Sequence, residues 1–308
     1  MATAAAAGSR SKLRFAAKAV VSVFVPAIPV LVWWKSASDD RKYRAEEVRT
    51  KVRIPNLQTI DDLMVEKCRP GDVLLFDRRP QKCASGPGAA LSCLAARAML
   101  CDESDRTRSV DTGMFDHCAL VVPGKATTKA ESADPSNLML LEATAGEGIV
   151  SRPLLMRLEM SRSRSVLLLP LSSAGERRYD ADFDPPERSA QLREKMEKAL
   201  VDFQNQWTKE SETQNYAASH STLGMFGALG YVLGLQGTSR APVSPSAWLV
   251  VSALQDAGAG QSLTGREAME TRTEDFLRDH RFNETDTVRL RPGWKFLPAV
   301  VLRENASS

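Results

Sequence analysis

Short apolar runs, each closed by turn-forming or polar residues, come before the longer helical patterns of this chain. This order limits the fold more than any other feature of the sequence. Apolar runs of about four to eight residues between Gly, Pro and polar side chains are typical of buried strands. The runs occupy residues 73–76, 117–122, 138–143, 146–150 and 165–171. Because helices do not alternate with these runs, the pattern predicts an α+β fold with a small antiparallel sheet.

Two later segments predict helices that pack on this sheet. Residues 187–207 carry an apolar stripe at helical spacing, and residues 246–257 form an apolar helix that ends before Gly258. An Ala/Leu-rich helix is predicted over residues 91–100, a buried or re-entrant helix over residues 223–235, and a last strand over residues 288–296.

The N-terminus contains the one stretch of the chain that could enter a bilayer. Sixteen uncharged residues, AVVSVFVPAIPVLVWW, lie between Lys18 and Lys35. The stretch is slightly short for a transmembrane helix, but the flanking lysines can reach toward the interface and its two tryptophans favour that position. Residues 1–16 are predicted to be a disordered basic N-terminus. Residues 17–35 are predicted to be an N-terminal apolar helix that serves as a membrane anchor or a targeting segment.

Three interpretations stay open for residues 17–35. As a single-pass N-terminal anchor, the segment places the protein in a mitochondrial or endomembrane bilayer. A basic N-terminus without acidic residues also marks organelle import, so the segment can be a cleaved targeting sequence. It can also be a helix packed on the domain, although two prolines oppose a regular helix there. Residues 36–53 are predicted to form a charged stalk, and residues 54–308 the globular domain.

The composition excludes several classes of function. The 308 residues carry a net charge of only +3, which gives no footprint for binding nucleic acid. The five cysteines contain no CxxC pair, the three histidines lack metal-ligand spacing, and GxGxxG and P-loop motifs are absent from the sequence. We therefore expect no metal and no cofactor. An odd number of irregularly spaced cysteines is typical of free thiols in a reducing compartment or the mitochondrial matrix.

One histidine and one glutamate stand out in the predicted strands. His117 begins a strand, and Glu142 interrupts the apolar run LMLLEAT, where an unpaired carboxylate is unfavourable to bury. A buried carboxylate beside a histidine orients the imidazole and stabilises its charged form. The alternative is that Glu142 faces water from an edge strand. Cys118 follows His117 on the strand, so its side chain is predicted to point the opposite way, into the core.

Several blocks of sequence, in order, resemble permuted papain-like hydrolases. The blocks are RPGDVLLF, FDHCALVV and LLEATAGEGIV, followed by SAWLVVSALQDAG and a tail from EDFLRDHRF to LRPGWKF. They are similar to the YiiX/YaeF-like amidases, which are related to NlpC-type cell-wall peptidases and lecithin retinol acyltransferases. The resemblance covers about residues 57–303. It implies a permuted papain-like (NlpC-type) domain with an antiparallel sheet.

The resemblance assigns a role to four residues. His117 matches the catalytic histidine, Glu142 the residue that orients it, and Asp72 a structural residue of the turn before the first strand. The position of the nucleophilic cysteine falls on Ser246, and no cysteine occurs after Cys118. A serine hydroxyl is far less acidic than a thiol and needs a true general-base triad with an oxyanion hole.

The leading hypothesis is therefore a membrane-tethered, permuted papain-like pseudoenzyme that acts as a binding or scaffold protein, or as a subunit of a membrane assembly. Its expected partners are the membrane, through residues 17–35, other proteins of that assembly, and a lipid or peptide ligand. The alternative is an active hydrolase or acyltransferase on amides, peptides or lipid esters, in which Ser246 or Cys93 attacks, with His117 as the base and Glu142 orienting it. A third possibility is that the resemblance is misleading and the chain is an anchored structural protein, in which case residues 117, 142 and 246 will not converge.

Overall fold

Six antiparallel strands form one sheet, and helices cover both of its faces. The structure is a computed structural model that describes residues 32, 35–36, 38–40, 42–50, 60–78, 115–124, 137–144, 148–161, 163–178, 180, 186–213, 242, 244–262, 265–278 and 290–304. The predicted disordered N-terminus, all but two residues of the predicted anchor, and the predicted helices at 91–100 and 223–235 lie outside these residues.

Six of the described strands precede the helices of 27 and 12 residues, and two further strands follow these helices. The strands are β1 (Val73–Asp77), β2 (His117–Pro123), β3 (Leu138–Thr144), β4 (Gly148–Pro153), β5 (Ser165–Leu169), β6 (Leu171–Ser173), β7 (Trp294–Phe296) and β8 (Val300–Glu304). The helices are α1 (Ile60–Lys67), α2 (Leu154–Met160), α3 (Glu187–Thr213), α4 (Pro245–Asp256), α5 (Gly265–Glu270) and α6 (Asp275–Arg278). Every described residue between 32 and 50 is also helical, and we call this segment the N-terminal helix.

The strand β1 lies inside the large sheet, between β2 and β5. The order of strands is β4-β3-β2-β1-β5-β8, and each neighbouring pair is antiparallel. Strands β6 and β7 form a separate antiparallel pair. The prediction of an α+β fold with an antiparallel sheet is therefore confirmed.

The pleat of β1 divides the core into two layers. Val73 and Leu75 point to the face covered by α3 and α4, whereas Leu74 and Phe76 point to the face covered by α1 and α2. All four side chains are fully buried. Burying each one stabilises the fold by about 1.5–3 kcal/mol. Because both faces are covered, β1 reads in the sequence as a continuous apolar run rather than as an alternating one.

Three differences from the predicted elements have a physical reason, and the short helices α1, α5 and α6 appear where no element was predicted. The predicted strand at 165–171 is divided at Pro170 into β5 and β6, which belong to different sheets, because proline has no N–H for a strand ladder. The predicted last strand shrinks to β7, and β8 follows it along the edge of the large sheet. The helix α2 has only seven residues, too few to show a helical period in the sequence.

The N-terminal helix contacts the domain along one stripe. Asp40, Arg44 and Val48 are four residues apart and half-buried, while most of the surrounding helix is exposed. The Nη2 atom of Arg44 donates a hydrogen bond to the backbone carbonyl of Glu159, in the last turn of α2, at 2.7 Å. Among the described residues, no helix is both long enough and apolar enough to cross a membrane.

A buried ion pair fixes the start of β1. The carboxylate of Asp72 is fully buried and accepts hydrogen bonds from the backbone N–H groups of Arg69 at 2.7 Å and Leu171 at 2.9 Å. Both terminal nitrogens of Arg178 donate to this carboxylate, and they also donate to the carbonyls of Leu171 and Lys67. One ion pair thereby joins the end of α1, the turn before β1 and the start of β6.

We predict that replacing Arg178 with methionine destabilises the protein severely. The substitution leaves the Asp72 carboxylate buried without its guanidinium, and breaking a buried pair in this way costs about 3–5 kcal/mol. Urea unfolding of the Arg178→Met variant measures the loss. The matched control is Arg177→Met, at a side chain that is 71% exposed, where a change within about 0.5 kcal/mol is expected. Equal losses in both variants would show that the Asp72–Arg178 pair does not secure β1.

Candidate functional site

Glu142 is the centre of a buried polar cluster on the sheet face that α1 and α2 cover. On β3 its side chain shares the side of Leu140, and no part of the residue is exposed. Its carboxylate accepts hydrogen bonds from Arg157 Nε at 2.9 and 3.1 Å and from Arg152 Nη1 at 3.1 Å. His117 Nε2 lies 3.1 Å from the second carboxylate oxygen. The edge-strand alternative for Glu142 is therefore excluded.

Consecutive elements of the fold deliver both arginines of the cluster. Arg152 lies on β4 and Arg157 on α2, which begins directly after β4. The guanidinium carbon of Arg157 stands 4.8 Å from the centroid of the Phe76 ring, and the imidazole of His117 lies 5.9 Å from the same ring. This arrangement adds a cation–π contact to the ion pair, worth about 0.5–2 kcal/mol. The cluster thus joins α2 to three neighbouring strands.

The strands β2 and β3 separate next to this cluster. Their last backbone pair is Leu120 with Leu141, although both strands continue further. The hydrogen bond between His117 and Glu142 lies beyond that pair. Side chains therefore connect the two strands where the backbone ladder has stopped.

The charges of the cluster determine the protonation of His117. Burial alone raises the pKa of Glu142, but Arg157 and His117 lower it more, so the pKa lies well below its usual range and the group is a carboxylate. Burial lowers the pKa of His117, and the charge of Arg78 adds to this effect, against the opposing influence of Glu142. The imidazole is therefore neutral at pH 7. Because a carboxylate only accepts hydrogen bonds, Nε2 carries the proton and Nδ1 is the basic nitrogen.

The residue before His117 is held by a second buried carboxylate. Asp116 accepts hydrogen bonds from the backbone N–H of Arg78 and from its Nε, both at 2.8 Å. The Asp116 side chain is fully buried and that of Arg78 is 13% exposed. This pair ties the entry of β2 to the residue that follows β1, and it brings the positive charge of Arg78 close to the imidazole.

Ser246 lies on the other side of β2, at the first turn of α4. Ser244 precedes this helix as its N-cap and accepts a hydrogen bond from the backbone N–H of Ala247 at 3.4 Å. The Ser246 hydroxyl is 3.4 Å from the Ser244 hydroxyl and accepts a hydrogen bond from the backbone N–H of Cys118 at 3.4 Å. The Ser246 hydroxyl thus bonds to a backbone N–H of β2 that lies beyond the last residue pair between β2 and β3.

The side chain of Cys118 faces α4 and belongs to the core on that side of the sheet, as predicted. Burial raises the pKa of Cys118 to about 12, although hydrogen bonds with Ser246 and Thr273 and the charge of Arg78 lower it. A thiol of this pKa is uncharged and unreactive at neutral pH. Cys118 is therefore a structural core residue rather than a substitute nucleophile.

The structure brings two of the three predicted site residues together. His117 and Glu142 form a hydrogen bond on the α1/α2 side, whereas Ser246 approaches β2 from the α4 side. Among the described residues, Ser246 forms no hydrogen bond with His117. Their catalytic assignment stays a prediction. The alternative nucleophile Cys93 and the other histidines, His220 and His280, lie outside the described residues.

Sequence reasoning did not find the two arginines of the cluster. Arg157 lies in the run LLMRLEM, so the signal that pointed to Glu142, a charge inside an apolar run, was available for it. Arg152 had no such signal, because it lies in a short polar stretch at the end of β4. Charged residues inside apolar runs, taken in pairs of opposite sign, would have predicted the Glu142–Arg157 contact.

The described residues include no group of three or more His, Cys, Asp or Glu side chains that could hold a metal ion. Comparison of the chain with family models, curated proteins and solved structures finds no match. The resemblance to permuted papain-like hydrolases therefore rests on the sequence blocks alone, and the site must be interpreted from its own geometry.

We predict that His117 makes the stability of the protein decrease as the pH falls below about 6.5. The unfolded chain protonates this histidine near pH 6.5, whereas the folded protein, with its depressed pKa, does not. Stability from this group is therefore complete above pH 6.5 and is lost as the pH falls toward the folded pKa, by at most about 1.4 kcal/mol per pH unit.

The variant His117→Gln removes the titration and keeps a donor for Glu142, so the pH dependence of urea unfolding should flatten. The control is Arg177→Gln, at a side chain that is 71% exposed, and it should retain the wild-type slope. A slope that persists in His117→Gln would show that another group causes it.

Proposed function

We propose that this chain is a membrane-tethered, permuted papain-like protein that acts as a binding or scaffold protein, without thiol hydrolase activity. One observation carries the absence of hydrolase activity, whereas the family assignment and the tether come from the sequence alone. The residue at the expected nucleophile position, Ser246, bonds to the backbone of Cys118 instead of to His117. A serine without a general base in contact has no means of losing its proton at neutral pH.

The surroundings of Glu142 support the same conclusion. Two arginines and the imidazole occupy both oxygens of the carboxylate, which makes the cluster a closed ion-pair network. Such a network fixes the packing of α2 on the sheet. The fold therefore accounts for the presence of His117 and Glu142 without a catalytic role for either residue.

The tether is part of the proposal and comes from the sequence. The apolar stretch 19–34 leads directly into the N-terminal helix, whose described residues begin at 32. The hydrogen bond from Arg44 to the Glu159 carbonyl joins the described part of this helix to the domain. The membrane is a mitochondrial or endomembrane bilayer in this proposal, and the partners are other proteins of a membrane assembly or a lipid or peptide ligand.

An active hydrolase or acyltransferase is the second candidate. The hydrogen bond between His117 Nε2 and Glu142 favours it, because this bond leaves Nδ1 as an oriented base. For this function, either Ser246 or Cys93 would have to reach Nδ1 of His117. Amides, peptides and lipid esters are the substrate classes that the resemblance implies.

We predict that the purified full-length protein does not hydrolyse p-nitrophenyl acetate or an acyl-peptide amide in a Ser246-dependent way. Wild type, Ser246→Ala and His117→Gln should give the same rate, equal to that of an unrelated protein. Ser246→Cys should not create activity, because the new thiol would still face Cys118. A rate that falls at least about tenfold in both Ser246→Ala and His117→Gln would establish the hydrolase instead.

A further inference from the structure

The helix α2 touches two parts of the molecule that lie far apart in the sequence. In its last turn, Nε of Arg157 donates to both carboxylate oxygens of Glu142, at 2.9 and 3.1 Å. In the same turn, the carbonyl of Glu159 accepts the hydrogen bond from Nη2 of Arg44 at 2.7 Å. The last turn of α2 therefore links the buried His117–Glu142 cluster to the N-terminal helix.

The contact made by Arg44 holds a helix that is otherwise largely exposed. The Arg44 side chain is 29% exposed, and its Nη1 forms an ion pair with Glu47 of the same helix at 2.6 Å. Tyr43 and Arg49, on either side of it in the sequence, are exposed. Most of the stability of a helix in a protein comes from packing against its neighbours. Loss of the bond to the Glu159 carbonyl would therefore appear as faster amide exchange in this helix.

A proton on His117 would act on the last turn of α2 through Glu142. The Oε2 atom of Glu142 lies 3.1 Å from Nε of Arg157 and 3.1 Å from Nε2 of His117, so both groups share one oxygen. Burial and the charge of Arg78 lower the pKa of His117, and the charge of Arg157 lowers it further. This effect is reciprocal, because a proton on His117 weakens the hold of Arg157 by the same free energy.

Among the described residues, carboxylates and arginines surround His117 and the Arg44 contact. On the neighbouring elements, these are Asp40, Glu47, Arg78, Asp116, Glu142, Arg152, Arg157 and Glu159. A carboxyl group ordinarily titrates at about pH 4, a guanidinium only above about pH 12 and an imidazole at about pH 6.5. His117 is therefore the one group of this set whose ordinary pKa lies close to neutral pH.

We propose that α2 couples the N-terminal helix to the protonation of His117, so that the helix is docked while His117 is neutral and is released when His117 takes up a proton. The proton binds Nδ1, because Nε2 already carries one. The imidazolium weakens the hold of Arg157, and the end of α2 moves away from the N-terminal helix. Leu154 and Leu158 keep the rest of α2 in the core. Neither the family resemblance nor a membrane tether is needed for this coupling.

Hydrogen–deuterium exchange on the full-length protein tests the coupling, from about pH 7.5, above the ordinary histidine pKa, down to about pH 4.5. Each rate is divided by that of an unfolded peptide, which removes the intrinsic dependence of exchange on pH. In the wild type, the protection of residues 42–50 should fall about tenfold over this range, whereas α3 should keep its protection. In His117→Gln, which retains the surrounding carboxylates and arginines, the protection of residues 42–50 should not change with pH. Far-UV circular dichroism checks that this variant is folded.

The variant Arg44→Met breaks the contact at the N-terminal helix and should lower the protection of residues 42–50 about tenfold even at neutral pH. Arg49→Met, at an exposed position of the same helix, is the matched control and should leave the protection unchanged. Because coupling is reciprocal, Arg44→Met should also raise the proton affinity of His117, read from its imidazole NMR signals, about tenfold. A purely local role for Arg44 would not change the titration of a buried histidine.

Four results would overturn the proposal. Protection of residues 42–50 that is independent of pH in the wild type would exclude the coupling. A dependence that persists in His117→Gln would assign it to another group, such as Glu47 or Asp40. Simultaneous loss of protection in α3 would show that the whole domain unfolds. Weaker protection in Arg44→Met with an unchanged proton affinity of His117 would show that Arg44 holds the helix without any link to the cluster.

Discussion

The buried carboxylate of Glu142 determines how one whole side of this molecule is built. A lone carboxylate inside a core is prohibitively unfavourable, so the fold must bring positive charge to it. The short helix α2 supplies that charge by turning Arg157 inward. The same helix buries Leu154 and Leu158 in the core beside this ion pair, so α2 is held on the sheet by apolar packing and by charge together.

A second buried carboxylate acts at the opposite end of β1. Asp72 precedes the strand and is held by Arg178, whereas the His117–Glu142 cluster lies beside Phe76 near its other end. Both carboxylates are joined to an arginine from a segment outside the strands of the large sheet. The central strand is therefore fixed at each end by an ion pair that also determines the position of a neighbouring segment. Apolar packing alone would not specify these positions as uniquely.

The strands could be predicted from the sequence because each is a buried apolar run between turn residues. β1 to β4 appear where the apolar runs predict them, within a few residues. The sequence could not predict α2, because seven residues are too few to show a helical period. The division at Pro170 was visible as a proline inside an apolar run, but which sheet each half joins depends on β7 and β8, far along the chain.

The order of the motifs along the chain predicts the contact between His117 and Glu142 but not the position of Ser246. A carboxylate in an apolar run and a histidine at the start of the neighbouring strand predicted the His117–Glu142 contact, because burial requires a partner. The position of Ser246 is different, since its side of the sheet depends on how α4 packs, and Ser246 reaches the backbone of Cys118 while His117 points the other way. A histidine and a carboxylate that stabilise the fold have a structural role whether or not a nucleophile is near. Their presence in the motif is therefore no evidence of catalysis, and only contact between a nucleophile and Nδ1 of His117 would be.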